Sequence, residues 1–176
     1  MDTWQQGLRQ VGTALGRQQE AERLVSEVET TVTRAGENQA ELTGKTASLF
    51  NYVAGDGLYV INDEADVSIK FLKELGFAGL TETVAGLEGQ DGRAKVSAER
   101  YPLIDADVIV GTSSSNPTEL DQLASHEVFS QVPAVAQGAF VPLDIGPATA
   151  LAFPSVLSVP YAVDELVPQL ARAANR

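Results

Sequence analysis

The sequence predicts a three-layer α/β fold, in which a mostly parallel sheet carries helices on both faces. Segments with apolar residues at helical spacing alternate along the chain with short β-prone runs. Two of those runs, residues 45–53 ("KTASLFNYV") and residues 106–111 ("ADVIVG"), are mostly apolar and do not alternate with polar residues. Such continuous runs are typical of parallel strands that are buried on both faces. The predicted architecture is therefore a Rossmann-like lobe, preceded by a long amino-terminal helix.

The amino-terminal helix is predicted from apolar residues that recur three or four positions apart between Trp4 and Leu15. Gly16 interrupts this pattern, which resumes to about Arg34 as a second helix or as a kinked continuation of the first. Together the two parts would span about 45 Å at 1.5 Å per residue, which is long for a chain of this size. A helix of this length suggests that another part of the protein packs on it.

The rest of the chain alternates between helical and extended patterns. Its predicted elements are a helix over residues 66–76, an irregular stretch over 81–93, a short helical turn over 97–103, a helix over 117–124, a connector over 131–137, a strand over 139–143 and a closing helix over 156–174. Ligands on such sheets bind beyond the carboxyl ends of the strands. The candidate site loops are therefore residues 54–66, 111–116 and 144–153, which follow the strands and are rich in small and polar residues.

Composition excludes several classes of function. The chain has 176 residues, of which 12 are Lys or Arg and 24 are Asp or Glu, so its formal net charge is -12. Such an acidic chain argues against a nucleic-acid partner, because phosphate backbones require basic side chains. Cysteine is absent, which excludes disulfides, zinc–thiolate sites and a cysteine nucleophile. The most apolar window, residues 148–163, is interrupted by Pro154 and Pro160 and is not predicted to span a membrane.

No arrangement of residues predicts catalysis or metal binding. The glycine patterns of nucleotide-binding loops do not occur. The segment "GTSSSN" lacks the Gly-x-Ser-x-Gly pattern of a hydrolase, and the one histidine, His126, is more typical of a surface residue than of a catalytic base. Asp63, Glu64 and Asp66 cluster without the glycine and terminal glutamate of a calcium loop. The residues therefore favour a binding protein over an enzyme, with no intrinsic cofactor.

Four segments of the chain resemble, in order, the signatures of one known family. Residues 8–25 ("LRQVGTALGRQQEAERLV") resemble the helix that bridges the two lobes of cluster-A substrate-binding proteins, the iron–siderophore, haem and vitamin B12 binding components of ABC importers. Residues 96–111 ("VSAERYPLIDADVIVG") resemble the signature of that family's C-terminal lobe. Residues 129–144 ("FSQVPAVAQGAFVPLD") and 153–170 ("FPSVLSVPYAVDELVPQL") resemble its later segments. The four segments are spread from residue 8 to residue 170, so the resemblance extends over nearly all of the chain. Together they are specific for the family, though not for one ligand.

The resemblance implies an extracytoplasmic protein that holds a metal chelate between two lobes and delivers it to an ABC permease in the membrane. The ligand would be a ferric siderophore or a similar complex, with haem and cobalamin as alternatives. Residues 1–35 would be the interlobe bridging helix, kinked near Gly16, and residues 36–176 would be the C-terminal α/β lobe. We therefore expect an isolated lobe, whose full-length form would carry the second lobe and be anchored as a lipoprotein.

The resemblance also implies functional positions. Glu99 falls on the glutamate of the family's Ser-x-Glu turn, which faces the permease, although an acid in the first turn of a helix capped by Ser97 also explains it. The residues nominated as ligand contacts are Tyr52, Tyr59, Ser113, Ser114, Asn116 and Phe153. For the two tyrosines, packing is the alternative. Basic side chains that commonly hold anionic ferric siderophores are not evident in these loops, which leaves the charge of the ligand open.

Two other classes of function remain open. An α/β enzyme or regulatory domain of similar topology would need converging acid, base or metal-binding residues, and a structural or interaction module would need no ligand. An isolated lobe should also expose the apolar surface on which its second lobe would sit. We therefore expect self-association, as a dimer with exchanged or stacked bridging helices.

Overall fold

The computed structural model describes residues 3–113, 116 and 118–176, and it confirms the α/β class. The helices and strands are α1 (Trp4–Ala14), α2 (Gln18–Glu37), β1 (Ala47–Val53), β2 (Gly57–Ile61), α3 (Val67–Glu74), α4 (Glu82–Ala85), β3 (Arg93–Val96), β4 (Val108–Ser113), α5 (Thr118–Ala124), α6 (Pro133–Ala136), β5 (Phe140–Pro142), α7 (Ile145–Ala152) and α8 (Ser158–Ala174). Short 3₁₀ turns cover Ala40–Leu42, Ala98–Ile104 and Phe129–Gln131.

Within the described residues, five strands form one sheet in the order β3-β2-β1-β4-β5. The pairs β1–β4 and β4–β5 are parallel, with Leu49 opposite Val110 and Val110 opposite Val141. The pairs β1–β2 and β2–β3 are antiparallel, so the predicted parallel core carries an antiparallel edge. Gly55 and Gly57, at φ +77° and +141°, lie at the turn that reverses the chain between β1 and β2.

The antiparallel edge differs from the sequence prediction, which has a loop over residues 54–66 and an irregular stretch over residues 81–93. Strand β2 lies inside the first range, and β3 begins at the end of the second. The two strands have only five and four residues. Such short segments offer too few positions for a periodic pattern to stand out from the surrounding polar sequence.

Helices cover both faces of the sheet, as predicted. On one face, α2, α3, α7 and α8 pack on one another, and α7 and α8 pack on the strands. On the other face, α4, α5, α6 and the two later 3₁₀ turns pack on one another and on β2 and β4. This second face holds a buried aromatic cluster, in which Phe50 meets Phe129 edge-on at 5.8 Å and stacks on Phe140 at 5.9 Å between ring centroids. Aromatic rings therefore form part of the core on this second face.

Helix α1 folds back on α2, so the two parts do not form one helix of about 45 Å. Of the two predicted alternatives, a second helix is right and a kinked continuation is wrong. Gly16, at φ +67°, lies in the turn between them. Across this hairpin the Arg9 guanidinium pairs with the Glu22 carboxylate at 2.9 Å. Gly12 lies so close to α2 that a Cβ there would be 2.5 Å from the Cβ of Ala21. Glycine at this position therefore allows the two helices to approach.

Helix α2 attaches the hairpin to the rest of the molecule. Its buried side chains include Val25, Val28 and Val32, of which the last two belong to the main hydrophobic core. The predicted boundary after residue 35 lies inside this helix, which ends at Glu37. A role of residues 1–35 in bridging two lobes stays a prediction.

Among the later elements, helix α7 differs most from the sequence prediction, which places a loop over residues 144–153. Gly146 and Pro147 are not typical of helix interiors, but proline is tolerated in a first turn, where its missing N–H would have no helical partner. Pro160 likewise lies in the first turn of α8 and does not interrupt it. In the part of the chain that the structure describes, no helix combines the length and the apolar character needed to cross a membrane.

The hairpin contact predicts opposite effects of two glycine substitutions in α1. Gly7→Ala adds a methyl group where nothing lies within 4 Å, and it should stabilise the helix by roughly 0.5–1 kcal/mol. Gly12→Ala directs its methyl group at Ala21 and should destabilise the hairpin by about 1–3 kcal/mol. Urea denaturation, with hydrogen exchange of the α1 amides, measures both effects. Equal stability of the two variants would show that α1 does not pack on α2 as described.

Candidate functional site

A groove of about 430 Å³ lies on the sheet face that carries α3 and α7. The parallel pairing of β1 and β4 brings their carboxyl ends to the same edge of the sheet, beside this groove. The groove is lined by Leu49, Phe50, Asn51, Ile61, Ser68, Arg93, Thr112, Ser113, Ile145, Ala148, Thr149, Leu151, Ala152 and Phe153. It combines a polar strip from the strands with an apolar wall from α7 and the residue after it.

The polar strip consists of neighbouring side chains of β1 and β4. Asn51 lies opposite Thr112 in the parallel register. The Thr112 hydroxyl is within hydrogen-bonding distance of Asn51 Oδ1, at 3.2 Å, and of the Phe50 carbonyl oxygen, at 3.0 Å. The Ser113 hydroxyl donates to Glu119 Oε2 at 2.7 Å. The Asn51 amide and the Thr112 hydroxyl are therefore held side by side, next to the space that a ligand could fill.

The apolar wall contains large side chains that are open to solvent. Ile145 and Phe153 are 71% and 72% exposed, although both line the groove. Leu157 is also exposed, and the exposed Tyr161 lies against α7, with its hydroxyl 2.7 Å from where a Cβ of Gly146 would be. Large apolar side chains grouped in this way mark a surface that a ligand or a partner covers.

Arg93 is the one ionisable side chain among the described residues that line the groove. Its Nη1 lies 3.0 Å from Asp66 Oδ2 and donates to the Gly92 carbonyl oxygen at 3.1 Å. Asp66 also caps α3, because its Oδ1 accepts the backbone N–H of Ser68 at 2.8 Å. The charge of Arg93 is therefore balanced by a carboxylate whose own position is fixed by the helix.

Three of the nominated ligand residues are at or near the groove. Ser113 and Phe153 line it. Asn116 is exposed beyond the end of β4, and its Oδ1 accepts the backbone N–H of Thr118 at 3.1 Å, at the start of α5. Ser114 lies outside the described residues. The role of these residues in ligand binding stays a prediction.

The two nominated tyrosines do not line the groove. Tyr52 is partly buried against the core, near Tyr101, whose pKa is raised first by burial and then by Tyr52. Tyr59 donates a hydrogen bond to Asp56, and its ring lies 5.6 Å from the Lys95 ammonium. Packing and local polar contacts therefore account for both side chains in this structure, and ligand stacking stays a prediction.

Glu99 is exposed in the 3₁₀ turn Ala98–Ile104, directly after β3. Strand β3 ends with Val96 opposite Leu58, next to the β1–β2 turn, so Glu99 lies at the same sheet edge as the carboxyl end of β1. The N–H of Glu99 itself and then the Ser97 hydroxyl hydrogen-bond the carboxylate and lower its pKa. Ser97 occupies the N-cap position of the turn, as expected, but its side chain makes no capping hydrogen bond to the backbone of the turn.

A larger cavity of about 740 Å³ opens at the opposite end of the sheet, before β1, β4 and β5. Polar groups of the residues just before β1 and β4 link these two strands. The Asp107 carboxylate accepts the N–H and the hydroxyl of Thr46, each at 2.8 Å. Burial opposes ionisation of Asp107, but these hydrogen bonds and the Lys45 ammonium together lower its pKa. Because ligands on such sheets bind at the carboxyl ends of the strands, we place the functional site in the smaller groove.

Sequence reasoning did not nominate three polar residues of the groove, Asn51, Thr112 and Arg93, although Thr112 lies inside the candidate site loop 111–116. Asn51 and Thr112 had a usable signal, since each is a polar residue near the end of a mostly apolar strand. Arg93 had none, because it begins a four-residue strand after a polar, glycine-rich stretch. Among the described residues, no group of three or more His, Asp or Glu side chains could hold a metal ion.

Comparison with known families gives one match over most of the chain. The family model described as "Periplasmic binding protein" matches residues 1–145. Among curated proteins, none matches the chain significantly.

Solved structures share the fold at low sequence identity. PiaA of Streptococcus pneumoniae TIGR4, in complex with ferrichrome, is 23% identical, with a TM-score of 0.76 over 99% of this chain and 59% of that chain. A periplasmic solute binding protein from Mycobacterium smegmatis is 21% identical, with a TM-score of 0.77 over 99% of this chain and 57% of that chain. FhuD2 from Staphylococcus aureus, with bound ferrioxamine B, is 20% identical, with a TM-score of 0.75 over 98% of this chain and 66% of that chain. This chain therefore spans about three fifths of the length of these structures.

The contacts of Glu99 predict how its pKa responds to substitution. Ser97→Ala removes one of the two donors and should raise the pKa of Glu99 part of the way to its ordinary value. Ser97→Thr keeps a hydroxyl and is the control, which should leave the pKa where it is. Carbon-detected NMR titration of the glutamate carboxyl groups measures both variants.

The sign of the linked stability follows from the lowered pKa. The carboxylate of Glu99 should stabilise the fold above the pKa of the unfolded chain, and this contribution should be lost as the pH falls through the folded pKa. An unchanged pKa of Glu99 in Ser97→Ala would show that the serine does not hold the carboxylate.

Proposed function

Because the chain belongs to the periplasmic binding protein family, we propose that it is part of the solute-binding component of an ABC importer. Such a component binds a small molecule on the extracytoplasmic side and delivers it to permease subunits in the membrane. The observation that carries the proposal is the groove beside the carboxyl ends of β1 and β4, where a polar strip faces an exposed apolar wall. Ligands bind in this position on sheets of this kind.

The proposed ligand is a metal chelate of the ferric siderophore type. Two of the matching structures hold ferrichrome and ferrioxamine B. Chelates of this kind present oxygen atoms and aliphatic linkers at their surface. The polar strip of Asn51 and Thr112 lies beside the space that the oxygen atoms would fill, and the exposed Ile145 and Phe153 suit the linkers. Haem and cobalamin are the alternatives that the family resemblance leaves open.

The proposal extends to the organisation of the protein. Residues 36–176 would form the C-terminal lobe, and residues 1–35 would connect it to a second lobe. The share of 57–66% that this chain covers in the matching structures supports a longer binding protein. In this longer protein, the exposed Phe153 and Leu157 would face the second lobe or the ligand between the lobes. In the isolated chain a second copy would cover them, so self-association is expected. Lipid anchoring of the full-length protein belongs to the same proposal.

Glu99 is the residue proposed to dock on the permease. Its carboxylate is exposed at the sheet edge where the ligand would bind. Its own N–H and the Ser97 hydroxyl orient it and keep it ionised to a lower pH than usual. An oriented, exposed carboxylate is suited to the two parallel hydrogen bonds of an arginine side chain. The contact with the permease would therefore be an ion pair at the rim of the lobe.

The matched family consists of transport proteins and is not a class of enzymes. An α/β enzyme, a regulatory domain or a module without a ligand has no specific observation in its favour.

The groove predicts a loss of affinity when its apolar wall is shortened. In the natural full-length protein, Phe153→Ala should weaken the binding of ferrichrome by roughly 5- to 30-fold, since a lost aromatic contact costs about 1–2 kcal/mol. Leu15→Ala shortens a side chain that is 70% exposed but does not line the groove, and it is the matched control. Isothermal titration calorimetry measures both. The proposed function is wrong if the wild-type protein binds neither ferric siderophores nor haem nor cobalamin.

The docking role of Glu99 predicts a separation of binding from transport. Glu99→Ala should leave folding and ligand affinity unchanged and reduce uptake in cells that depend on the importer. Glu82→Ala removes another exposed acid, at the start of α4, and should leave uptake unchanged. Normal uptake with Glu99→Ala, or a collapse of its ligand affinity, would contradict the docking role.

A further inference from the structure

An ion pair between Arg93 and Asp66 lies at the groove. Of the described residues that line it, only Arg93 is ionisable. Its Nη1 is engaged twice, by Asp66 Oδ2 at 3.0 Å and by the Gly92 carbonyl oxygen at 3.1 Å. Asp66 does not line the groove itself, but its carboxylate neutralises the positive charge of Arg93, which does line it.

The structure holds Asp66 in this position independently of any ligand. Its Oδ1 accepts the N–H of Ser68 at 2.8 Å and caps the eight-residue helix α3. The N-terminal end of a helix also favours a negative charge at this point. The side chain of Asp66 is only 14% exposed, whereas that of Arg93 is 42% exposed. The carboxylate is therefore fixed by the protein, and the guanidinium is the partner that reaches the groove.

A further acidic side chain lies near this pair. The side chain of Asp63 lies beside Gly92, 3.1 Å from where a Cβ of that glycine would be. The formal charge of the whole chain is -12. An anionic ligand would lose its hydration in the groove without gaining a free cation in return. An uncharged or cationic ligand meets no such cost.

Resting on the proposed solute-binding function, we propose that Asp66 makes the groove selective for uncharged or cationic metal chelates over polyanionic ones. Asp66 sets this preference by neutralising Arg93. Among the described residues, the guanidinium makes no hydrogen bonds other than those of Nη1. Its remaining N–H groups are available to neutral oxygen atoms, such as those of a hydroxamate or an amide. Arg93 would then act as a hydrogen-bond donor to the ligand and not as its counter-ion.

The test compares the affinities of differently charged chelates. Ferrichrome has no net charge, ferrioxamine B carries one ammonium group, and ferric dicitrate is polyanionic. Isothermal titration calorimetry of each chelate with the natural full-length protein gives the ratio of the ferric dicitrate Kd to the ferrichrome Kd. We expect the wild-type protein to bind ferrichrome and ferrioxamine B at least tenfold more tightly than ferric dicitrate.

The deciding variant is Asp66→Asn. Asparagine caps helices as well as aspartate does, so α3 should keep its cap while Arg93 loses its counter-ion. The Kd ratio should fall by about five- to tenfold, the size expected for one unit charge near the surface several ångström from the ligand.

A matched control changes the same charge elsewhere. Glu27→Gln removes a carboxylate that pairs with Arg23 on the exposed face of α2, away from the groove, and should leave the ratio unchanged. The inference is overturned, with the proposed function intact, if wild-type protein binds ferric dicitrate as tightly as ferrichrome. It is also overturned if Asp66→Asn changes the ratio no more than Glu27→Gln does. If no chelate binds, the proposed function and the inference fall together.

Discussion

The close packing of two aromatic rings over Gly111 is the constraint on which the parallel core depends. A Cβ at this position would lie 2.7 Å from ring atoms of both Phe50 and Phe140. Because no side chain is there, the two rings stack with centroids 5.9 Å apart, and Phe129 meets both rings edge-on. Strands β1, β4 and β5 can therefore pair side by side, with Gly111 between Phe50 and Pro142 in the register.

The same register decides what the groove contains. Side chains along a strand point alternately to the two faces of the sheet. Since Phe50 belongs to the aromatic cluster, its neighbours Leu49 and Asn51 point to the face that carries α7, and Thr112 lies beside Asn51. A slip of one residue would move these polar side chains into the aromatic core. The polar strip of the groove and the packing of the opposite face are thus two results of one strand pairing.

The sequence was sufficient to predict the parallel core, because short apolar runs between helical segments are typical of strands that are buried on both faces. It was not sufficient to decide the amino-terminal helices, since a single glycine permits either a kink or a reversal, and the approach of Gly12 to Ala21 decides between them. At the site, the family resemblance together with position in the candidate loops nominated Ser113 and Phe153, which line the groove. Arg93 could not be found in this way, because it reaches the groove through the pairing of two short antiparallel strands.

In the proposed function, the ligand lies in the groove between the sheet and α7. Hydrogen–deuterium exchange of the natural full-length protein, with and without saturating ferrichrome, tests it most directly, because amides that a ligand covers or orders exchange more slowly. We predict slower exchange at the carboxyl ends of β1 and β4 and through α7 to Phe153. Slower exchange only at residues 105–107 and at the end of α8, around the larger cavity on the opposite edge, would contradict the claim.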